Sequence, residues 1–213
     1  FQNNVANFVD LLDKLEDQKF IYASSSSVYG SILAEGETAS ESRDDYVPVN
    51  YYDLSKYVID QYAKLSGKRC YGLRLGTVNG YSPILRADLM INAMTIHAAE
   101  SGKVRVFDGH IHRPILGIHD LARALAAVID GDGPAGIYNL ASFNRTVSEI
   151  AAEIASCMNC EVIEERPETA NASKSYDFKI DSSKFCTAYS FEFRETVKSI
   201  VDSLAGKEYQ KVS

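Results

Sequence analysis

The chain has 213 residues, of which 46% are hydrophobic and 24% charged, a composition typical of a globular protein with a sizeable core. No apolar run approaches the roughly 18 residues of a membrane-spanning helix, so no membrane association is expected. The formal net charge of −7 argues against a nucleic-acid partner, which would need a basic face, and requires local arginines for any anionic substrate.

The first part of the chain alternates between helical and strand patterns. Val5, Phe8 and Leu12 recur at the spacing of one helix face. In chain order we expect a helix over 2–16, a short buried strand over 19–23, a polar loop over 31–50, a helix over 51–66 and a strand over 69–75.

The same alternation continues to the end of the chain. Thr146 and Glu149 form a capping-box pattern at the start of one helix, and Asp120 is expected to cap another. We expect, in order, a loop over 80–87, a helix over 88–101, strands over 104–107 and 115–118, a helix over 120–130, a strand over 137–140, a helix over 146–158, a strand over 161–165 and helices near 181–187 and 195–205. Such alternation predicts a parallel sheet with helices on its faces.

Tyr52 and Lys56 are the most informative pair, because residues four apart share one helix face. There the ammonium would stabilise a phenolate, which lets a tyrosine act as a base near neutral pH although it ordinarily titrates near about pH 10. Tyr51 competes for this role, but the residue four positions on is Ser55. The four serines after strand 19–23 indicate either a polar loop or hydroxyls at the carboxyl end of a strand, where open α/β sheets bind ligands.

Several motifs in one order give the chain a resemblance to a known family. It resembles the extended short-chain dehydrogenase/reductases, the NAD-dependent nucleotide-sugar epimerases and dehydratases. The motifs are FIYASSSSVYG (20–30), YYDLSK (51–56), LRLGTVNG (73–80), RPILGIHDLARA (113–124), YNL (138–140) and DSSK (181–184). The resemblance implies a partial Rossmann-like parallel sheet and a smaller C-terminal substrate-binding domain. It assigns 1–80 to the back half of the dinucleotide-binding domain and 81–213 mainly to the substrate-binding domain, with 114–140 returning to the first.

The resemblance also implies roles for the residues in these motifs. Ser25, Tyr52 and Lys56 would be catalytic: Tyr52 as acid/base, Lys56 as its activating cation and Ser25 as the hydroxyl that holds the reacting oxygen, with Ser24 as the alternative. NAD, or alternatively NADP, would contact Tyr52 and Lys56 together with Ala23, Ser24 and Val78.

A nucleotide-sugar substrate is implied as well. Arg113 resembles the family's arginine to the substrate diphosphate, a role that suits its forked guanidinium; a surface ion pair is the alternative. Ser26, Ser27, Thr77, Arg86 and Asn92 complete the expected substrate contacts, and Tyr176 and Asp177 receive no assigned role. Ser26 and Ser27 stand where the family's 4,6-dehydratases carry Asp-Glu, which disfavours a dehydratase and favours an epimerase or a reductase.

One motif of the family is missing from the sequence. No Gly-x-x-Gly-x-x-Gly turn occurs, so the loop that would bring a pyrophosphate to a helix N-terminus is absent. We therefore expect the 213 residues to be the back portion of a longer enzyme and to show no turnover alone.

The four cysteines are too few for a disulfide framework in a chain of this length. Cys157 and Cys160 have metal-ligand spacing, but there is no second pair, so we expect reduced thiols, no metal and a cytoplasmic protein. Helices 2–16 and 51–66 resemble the pair through which this family forms homodimers, although both would also serve as ordinary sheet-covering helices.

Two alternatives to the epimerase remain open from the sequence. One is a reductase of a non-sugar carbonyl on the same scaffold, for which a phosphate-binding arginine would have no use. The other is a non-catalytic remnant that binds a nucleotide-sugar or a partner chain; retention of Ser25, Tyr52 and Lys56 argues against it.

Overall fold

The structure is a computed structural model that describes residues 2–30, 37–43, 46–165, 177–207 and 210–211. Within these residues there are seven α-helices: α1 (Asn7–Asp13), α2 (Tyr51–Leu65), α3 (Met90–Ser101), α4 (Ile118–Asp130), α5 (Val147–Met158), α6 (Ser183–Tyr189) and α7 (Val197–Leu204). A π-helical turn over Gln2–Ala6 leads into α1, and a 3-10 turn over Ser26–Tyr29 follows the first strand. No helix among the described residues is long and apolar enough to cross a membrane.

The described part of the chain also contains twelve strands. They are β1 (Phe20–Ser25), β2 (Thr38–Ala39), β3 (Cys70–Leu75), β4 (Thr77–Asn79), β5 (Ile84–Leu85), β6 (Lys103–Val106), β7 (His112–Gly117), β8 (Gly136–Leu140), β9 (Phe143–Thr146), β10 (Glu161–Glu164), β11 (Lys179–Ile180) and β12 (Gln210–Lys211). The predicted helices and longer strands are all present within a few residues of their expected bounds. The strands β4 and β9 were not predicted, nor were the two-residue strands β2, β5, β11 and β12, of which β2 and β5 lie in segments expected to be loops.

A parallel sheet in the order β1-β3-β8 forms the scaffold of the molecule. Ser25 pairs with Leu75, and Leu75 pairs with Leu140, so the three carboxyl ends lie at one edge. A second sheet in the order β4-β7-β9 begins directly beyond that edge, with β4 parallel to β7 and β9 antiparallel to it. The α/β class with parallel strands predicted from the sequence is therefore confirmed.

Helices cover both faces of the first sheet. On one face α1 and α2 pack against β1 through a core that includes Leu12, Tyr22 and Ile59. On the other face α4 and α6 bury Val128 and Phe185 against β3 and β8. A third core joins α3, α5 and α7 to β6.

Several buried polar groups of the first sheet bond to one another, although Arg74 Nη2 has no hydrogen-bond partner among the described residues. Arg74, fully buried on β3, donates to Asp60 Oδ2 on α2 at 2.8 Å and to the Tyr29 hydroxyl at 2.6 Å. The Tyr22 hydroxyl donates to Asp60 Oδ1 at 3.0 Å. Arg74 therefore ties α2 to the sheet, and its charge is paired with that of Asp60.

The outer edge of β8 is covered by side chains in place of another strand. Lys184 Nζ donates to the Ile137 carbonyl at 2.7 Å, and Ser182 Oγ accepts from the Ala141 amide at 3.0 Å. Glu41 Oε1 accepts from the Asn139 amide at 2.7 Å. The DSSK motif thus satisfies backbone groups of an edge strand.

The start of α4 differs from the sequence prediction. The helix begins at Ile118, so Asp120 lies inside its first turn and does not cap it. Instead Glu195 Oε2 accepts from the His119 and Asp120 amides, at 2.8 and 3.2 Å. The capping carboxylate comes from 75 residues away, which local sequence rules do not register.

The start of α5 confirms the predicted capping box. Thr146 Oγ1 accepts from the Glu149 amide at 3.2 Å, and Glu149 Oε2 accepts from the Thr146 amide at 2.8 Å. At the other end of α5, Cys157 is exposed and Cys160 is partly exposed, and both are free thiols.

Candidate active site

A cavity of about 860 Å³ opens at the carboxyl ends of β1 and β3, within the usual size range of small-molecule sites. Its walls come from β1, the following 3-10 turn, the start of α2, the β3–β4 junction, the 80–92 segment and β7. All the sequence-predicted site residues line it: Ala23, Ser24, Ser25, Ser26, Ser27, Tyr52, Lys56, Thr77, Val78, Arg86, Asn92 and Arg113.

Lys56 is held between the sheet and Tyr52. Its Nζ donates to the Ala23 carbonyl on β1 at 2.8 Å and lies 5.7 Å from the centre of the Tyr52 ring. Burial lowers the pKa of Lys56, and the negative charge of Asp60 one turn along α2 opposes that effect. The half-buried ammonium is thus directed towards the side of the cavity where the phenol lies.

Tyr52 is the phenol that faces this cavity. Its side chain is 51% exposed, whereas the neighbouring Tyr51 is 86% exposed and does not line the cavity. Helix geometry explains the difference, because adjacent residues on a helix point about 100° apart. The structure therefore separates the two tyrosines that competed in the sequence.

The serines extend from the strand into the 3-10 turn. β1 continues through Ser24 and Ser25, two residues farther than the sequence predicted, so the strand itself brings both hydroxyls to the cavity. Ser25 Oγ lies 2.8 Å from Ser27 Oγ and accepts from the Ser27 amide at 3.2 Å. Ser24 is 3% exposed, and its Oγ has no hydrogen-bond partner among the described residues.

Two site residues were not identified from the sequence. Asp53 and its N-cap Asn50 both line the cavity at the start of α2. Asn50 Oδ1 accepts from the Asp53 amide at 2.8 Å, and Asn50 Nδ2 donates to Asp53 Oδ2 at 2.7 Å. The signal that could have found them is the Asn-x-x-Asp spacing before an apolar helical pattern, which resembles a capping box.

The predicted phosphate contacts occupy different environments. Arg113 lines the cavity from β7. Arg86 also lines it, but makes a two-pronged pair with Asp88, at 2.8 and 2.7 Å, on the exposed rim. Asn92 is buried: its Oδ1 accepts from the Gly80 amide at 2.9 Å and its Nδ2 donates to the Arg86 carbonyl at 3.1 Å. Asn92 therefore shapes the cavity wall by fixing the Gly80 turn.

The other candidates lie apart from these groups. Asp177 Oδ1 accepts from the His112 amide at 2.6 Å and lies 3.0 Å from its ring Nδ1, while Tyr176 lies outside the described residues. Within the described part of the chain, no group of three or more His, Cys, Asp or Glu residues has the geometry to hold a metal ion.

Comparison with known proteins agrees with this geometry. Residues 1–141 match the model of the NAD dependent epimerase/dehydratase family. An ADP-L-glycero-D-manno-heptose-6-epimerase of Pseudomonas aeruginosa is 31% identical over 150 residues, covering 63% of this chain and 44% of that protein. The corresponding protein of Thiobacillus denitrificans is 30% identical over 143 residues, covering 59% of this chain and 40% of that protein. The chain thus matches less than half the length of these curated relatives.

Solved structures show the same fold. UDP-glucuronic acid 4-epimerase from Bacillus cereus, in complex with UDP-glucuronic acid and NAD, superposes with a TM-score of 0.79 at 20% identity, covering 95% of this chain and 66% of that one. ADP-L-glycero-D-manno-heptose-6-epimerase from Helicobacter pylori gives a TM-score of 0.77 at 21% identity, covering 94% and 64%. With the family match over residues 1–141, the chain belongs to the NAD dependent epimerase/dehydratase family.

Proposed function

We propose that the protein is an epimerase, or a closely related oxidoreductase, that acts on a nucleotide-sugar through transient oxidation of a sugar hydroxyl. The observation that carries this proposal is the meeting of Ser25, Tyr52 and Lys56, from a strand and a helix, on the wall of one cavity, with the Lys56 ammonium 5.7 Å from the Tyr52 ring centre. Related proteins described above act on ADP-heptose and UDP-glucuronic acid.

Tyr52 would take the proton of the reacting hydroxyl and later return it. The Lys56 ammonium would favour the phenolate, because an opposite charge nearby stabilises the charged form. Ser25 would hold the reacting oxygen beside the phenol. General acid–base groups of this kind typically contribute about 10²- to 10⁴-fold to a rate.

NAD fits the residues on one side of the cavity, with NADP as the alternative. Ser24 has a buried hydroxyl without a partner among the described residues, and such a group ordinarily finds one in a ligand or water. Ala23, Lys56 and Val78 would complete the nicotinamide side, together with Tyr52. When bound, this cofactor would accept a hydride from the sugar carbon and give it back.

Arg113 would bind the substrate diphosphate from the β7 side. Arg86 is the weaker candidate, because Asp88 already neutralises its charge. Ser26, Ser27 and Thr77 would contact the sugar, and Asn92 would act through the wall it supports. Neither Ser26 nor Ser27 carries the carboxylates that water elimination requires, so the proposal favours an epimerase or a reductase over a 4,6-dehydratase.

The proposal also includes how the chain is organised. The division has a dinucleotide-binding part over 1–80, to which 114–140 returns, and a mainly substrate-binding part over 81–213. It is supported by β8 and α4, which belong to the first sheet and the layer that covers it. A homodimer through α1 and α2 is supported by Leu11, Leu54 and Leu65, which expose apolar surface on those two helices. A cytoplasmic location is proposed from the free thiols.

A ligand panel tests the proposed substrate class. The panel contains UDP-, GDP-, ADP-, dTDP- and CDP-sugars, each at about 100 µM. For a ligand that binds only the folded state with a Kd of about 1 µM, this concentration stabilises the fold by about 2.7 kcal/mol. We expect one nucleotide class to raise the melting temperature, and Arg113→Ala to abolish that rise. A protein stabilised by no nucleotide-sugar would contradict the proposed substrate, and a rise that survives Arg113→Ala would contradict the diphosphate contact.

A further inference from the structure

The buried carboxylate of Asp53 is linked to Ser25 by hydrogen bonds. Asp53 is 1% exposed, and its Oδ1 accepts from Ser27 Oγ at 2.5 Å. Ser27 Oγ in turn lies 2.8 Å from Ser25 Oγ. The link runs along the cavity wall, because all three side chains line the cavity.

The direction of the protons in this chain follows from counting donors. An ionised carboxylate only accepts, and a serine hydroxyl has one proton to donate. Since the proton of Ser27 goes to Asp53, the proton between the two serines must come from Ser25. Ser25 Oγ also accepts from the Ser27 amide at 3.2 Å. One lone pair of Ser25 Oγ is then left to accept a hydrogen bond from a ligand in the cavity.

Asp53 is held in place at the start of α2. It lies in the first turn of the 15-residue helix α2, where the helix dipole stabilises negative charge. Its second oxygen, Oδ2, accepts from Asn50 Nδ2 at 2.7 Å. Asn50 is itself fixed by its cap to the Asp53 amide. The acceptor end of the chain is therefore anchored on both oxygens.

We propose that Asp53, acting through Ser27, is a positioning residue that fixes Ser25 as a hydrogen-bond acceptor, so that the site favours the hydroxyl form of the sugar over its keto form. This inference rests on the proposed function. A sugar hydroxyl can donate to the free lone pair of Ser25, whereas a ketone oxygen cannot.

Asp53→Asn tests the direction of the hydrogen bonds from Ser25 through Ser27 to Asp53, because the new side chain has the same shape. Because Asn50 Nδ2 needs an acceptor opposite it, the new amide would turn its oxygen to Asn50 and its nitrogen to Ser27. Ser27 would then donate to Ser25, and Ser25 would donate into the cavity. Ser27→Ala breaks the link, so in its background Asp53→Asn should have no such effect.

Two readouts on the natural protein in its full length separate the possible results. Neutron diffraction of deuterated crystals locates the Ser25 deuterium: we expect it to face Ser27 in the wild type and the cavity in Asp53→Asn. The ratio of reduced to oxidised nicotinamide at equilibrium, with NAD and the best-binding nucleotide-sugar of the panel, should rise about fivefold in Asp53→Asn, as one net hydrogen bond implies. Asp130→Asn, on another surface of the molecule, is the matched control and should leave both unchanged.

Each outcome decides a different claim. A Ser25 deuterium that faces the cavity in the wild type would overturn the inference. An unchanged nicotinamide ratio in Asp53→Asn would also overturn the inference. The proposed function would still hold in that case, provided that a nucleotide-sugar binds. Failure of every nucleotide-sugar to bind would instead sink the proposed function, with the neutron result alone deciding the direction of the chain.

Discussion

Glu41 illustrates how a single residue is determined by its tertiary contacts. Its carboxylate lies against the edge of β8 and accepts from the Asn139 amide at 2.7 Å. Burial raises the pKa of Glu41, and the hydrogen bond from Asn139 and the charge of Lys184 offset only part of that effect. The folded protein holds this proton more tightly than the unfolded chain does. The stability that the protonated Glu41 carboxyl contributes is therefore fully present below about pH 4.5 and is lost as pH rises through its raised pKa.

Glu41→Gln should therefore raise the melting temperature at pH 7 and have a smaller effect at pH 4. The amide keeps an oxygen for the Asn139 N–H but carries no charge to desolvate. Thermal unfolding at the two pH values measures the difference, and Glu16→Gln, at an exposed position, is the control, expected to change stability by no more than about 0.5 kcal/mol. A Glu41→Gln variant that is less stable than wild type at pH 7 but not at pH 4 would contradict the assignment.

Residue-level prediction from the sequence succeeded where the signal is local. Tyr52 and Lys56 are four apart on one helix, and Thr146 and Glu149 are three apart at a helix start, so spacing alone placed each pair. Asp53 and Glu41 depend on partners 26 and 98 residues away. The Asn-x-x-Asp spacing marks Asp53 as a residue at a helix start, but no local pattern contains its contact with Ser27 or the contact of Glu41 with Asn139.

At the scale of elements, the start of α4 shows how a remote segment fixes a helix. Buried Asp120 accepts from the Arg194 and Glu195 amides through its Oδ2, both at 2.9 Å, and from Ser142 Oγ at 2.8 Å. In return, the Glu195 carboxylate accepts from the His119 and Asp120 amides at the start of α4. These reciprocal hydrogen bonds between Asp120 and Glu195, called the Asp120–Glu195 contact below, join α4 to the segment between α6 and α7.

Asp120→Ala should lower the free energy of unfolding by about 3 kcal/mol, because it leaves two backbone amides and the Arg123 guanidinium without their acceptor. Chemical denaturation measures this loss. Asp202→Ala removes an exposed partner of Lys198 and should cost no more than about 0.5 kcal/mol. Equal losses of unfolding free energy in the two variants would show that the buried Asp120–Glu195 contact stabilises the fold no more than an exposed ion pair does.

Element boundaries were less predictable than the elements themselves. The predicted helix over 120–130 begins at Ile118, and the strand expected over 19–23 extends to Ser25. In both cases the shift comes from a tertiary partner: Glu195 caps one, and pairing of Ser24 and Ser25 with β3 continues the other. Short strands such as β4 exist only because β7 lies beside them, so their own three residues carry no periodic signal.

At the scale of the whole molecule, the order of motifs predicted the family and the class of fold, and the family match and superposition confirmed both. The sheet order β1-β3-β8 brings together carboxyl ends that are far apart in sequence. The second sheet, β4-β7-β9, begins beyond that edge, so hydroxyls on β1, a phenol and an ammonium on α2, and a guanidinium on β7 line one cavity. The identity of the sugar was not predictable, because cavity shape depends on tertiary contacts such as those of Asn92 with Gly80 and Arg86.

The most direct measurement is the rate of nucleotide-sugar epimerisation by the natural protein in its full length with NAD, compared among wild type, Tyr52→Phe and Tyr51→Phe. We expect Tyr52→Phe to lower turnover by about 10²- to 10⁴-fold and to leave nucleotide-sugar binding nearly unchanged. Tyr51→Phe should keep the wild-type rate, because the Tyr51 phenol does not line the cavity. Full turnover in Tyr52→Phe would contradict the assignment of the proton transfer to this phenol.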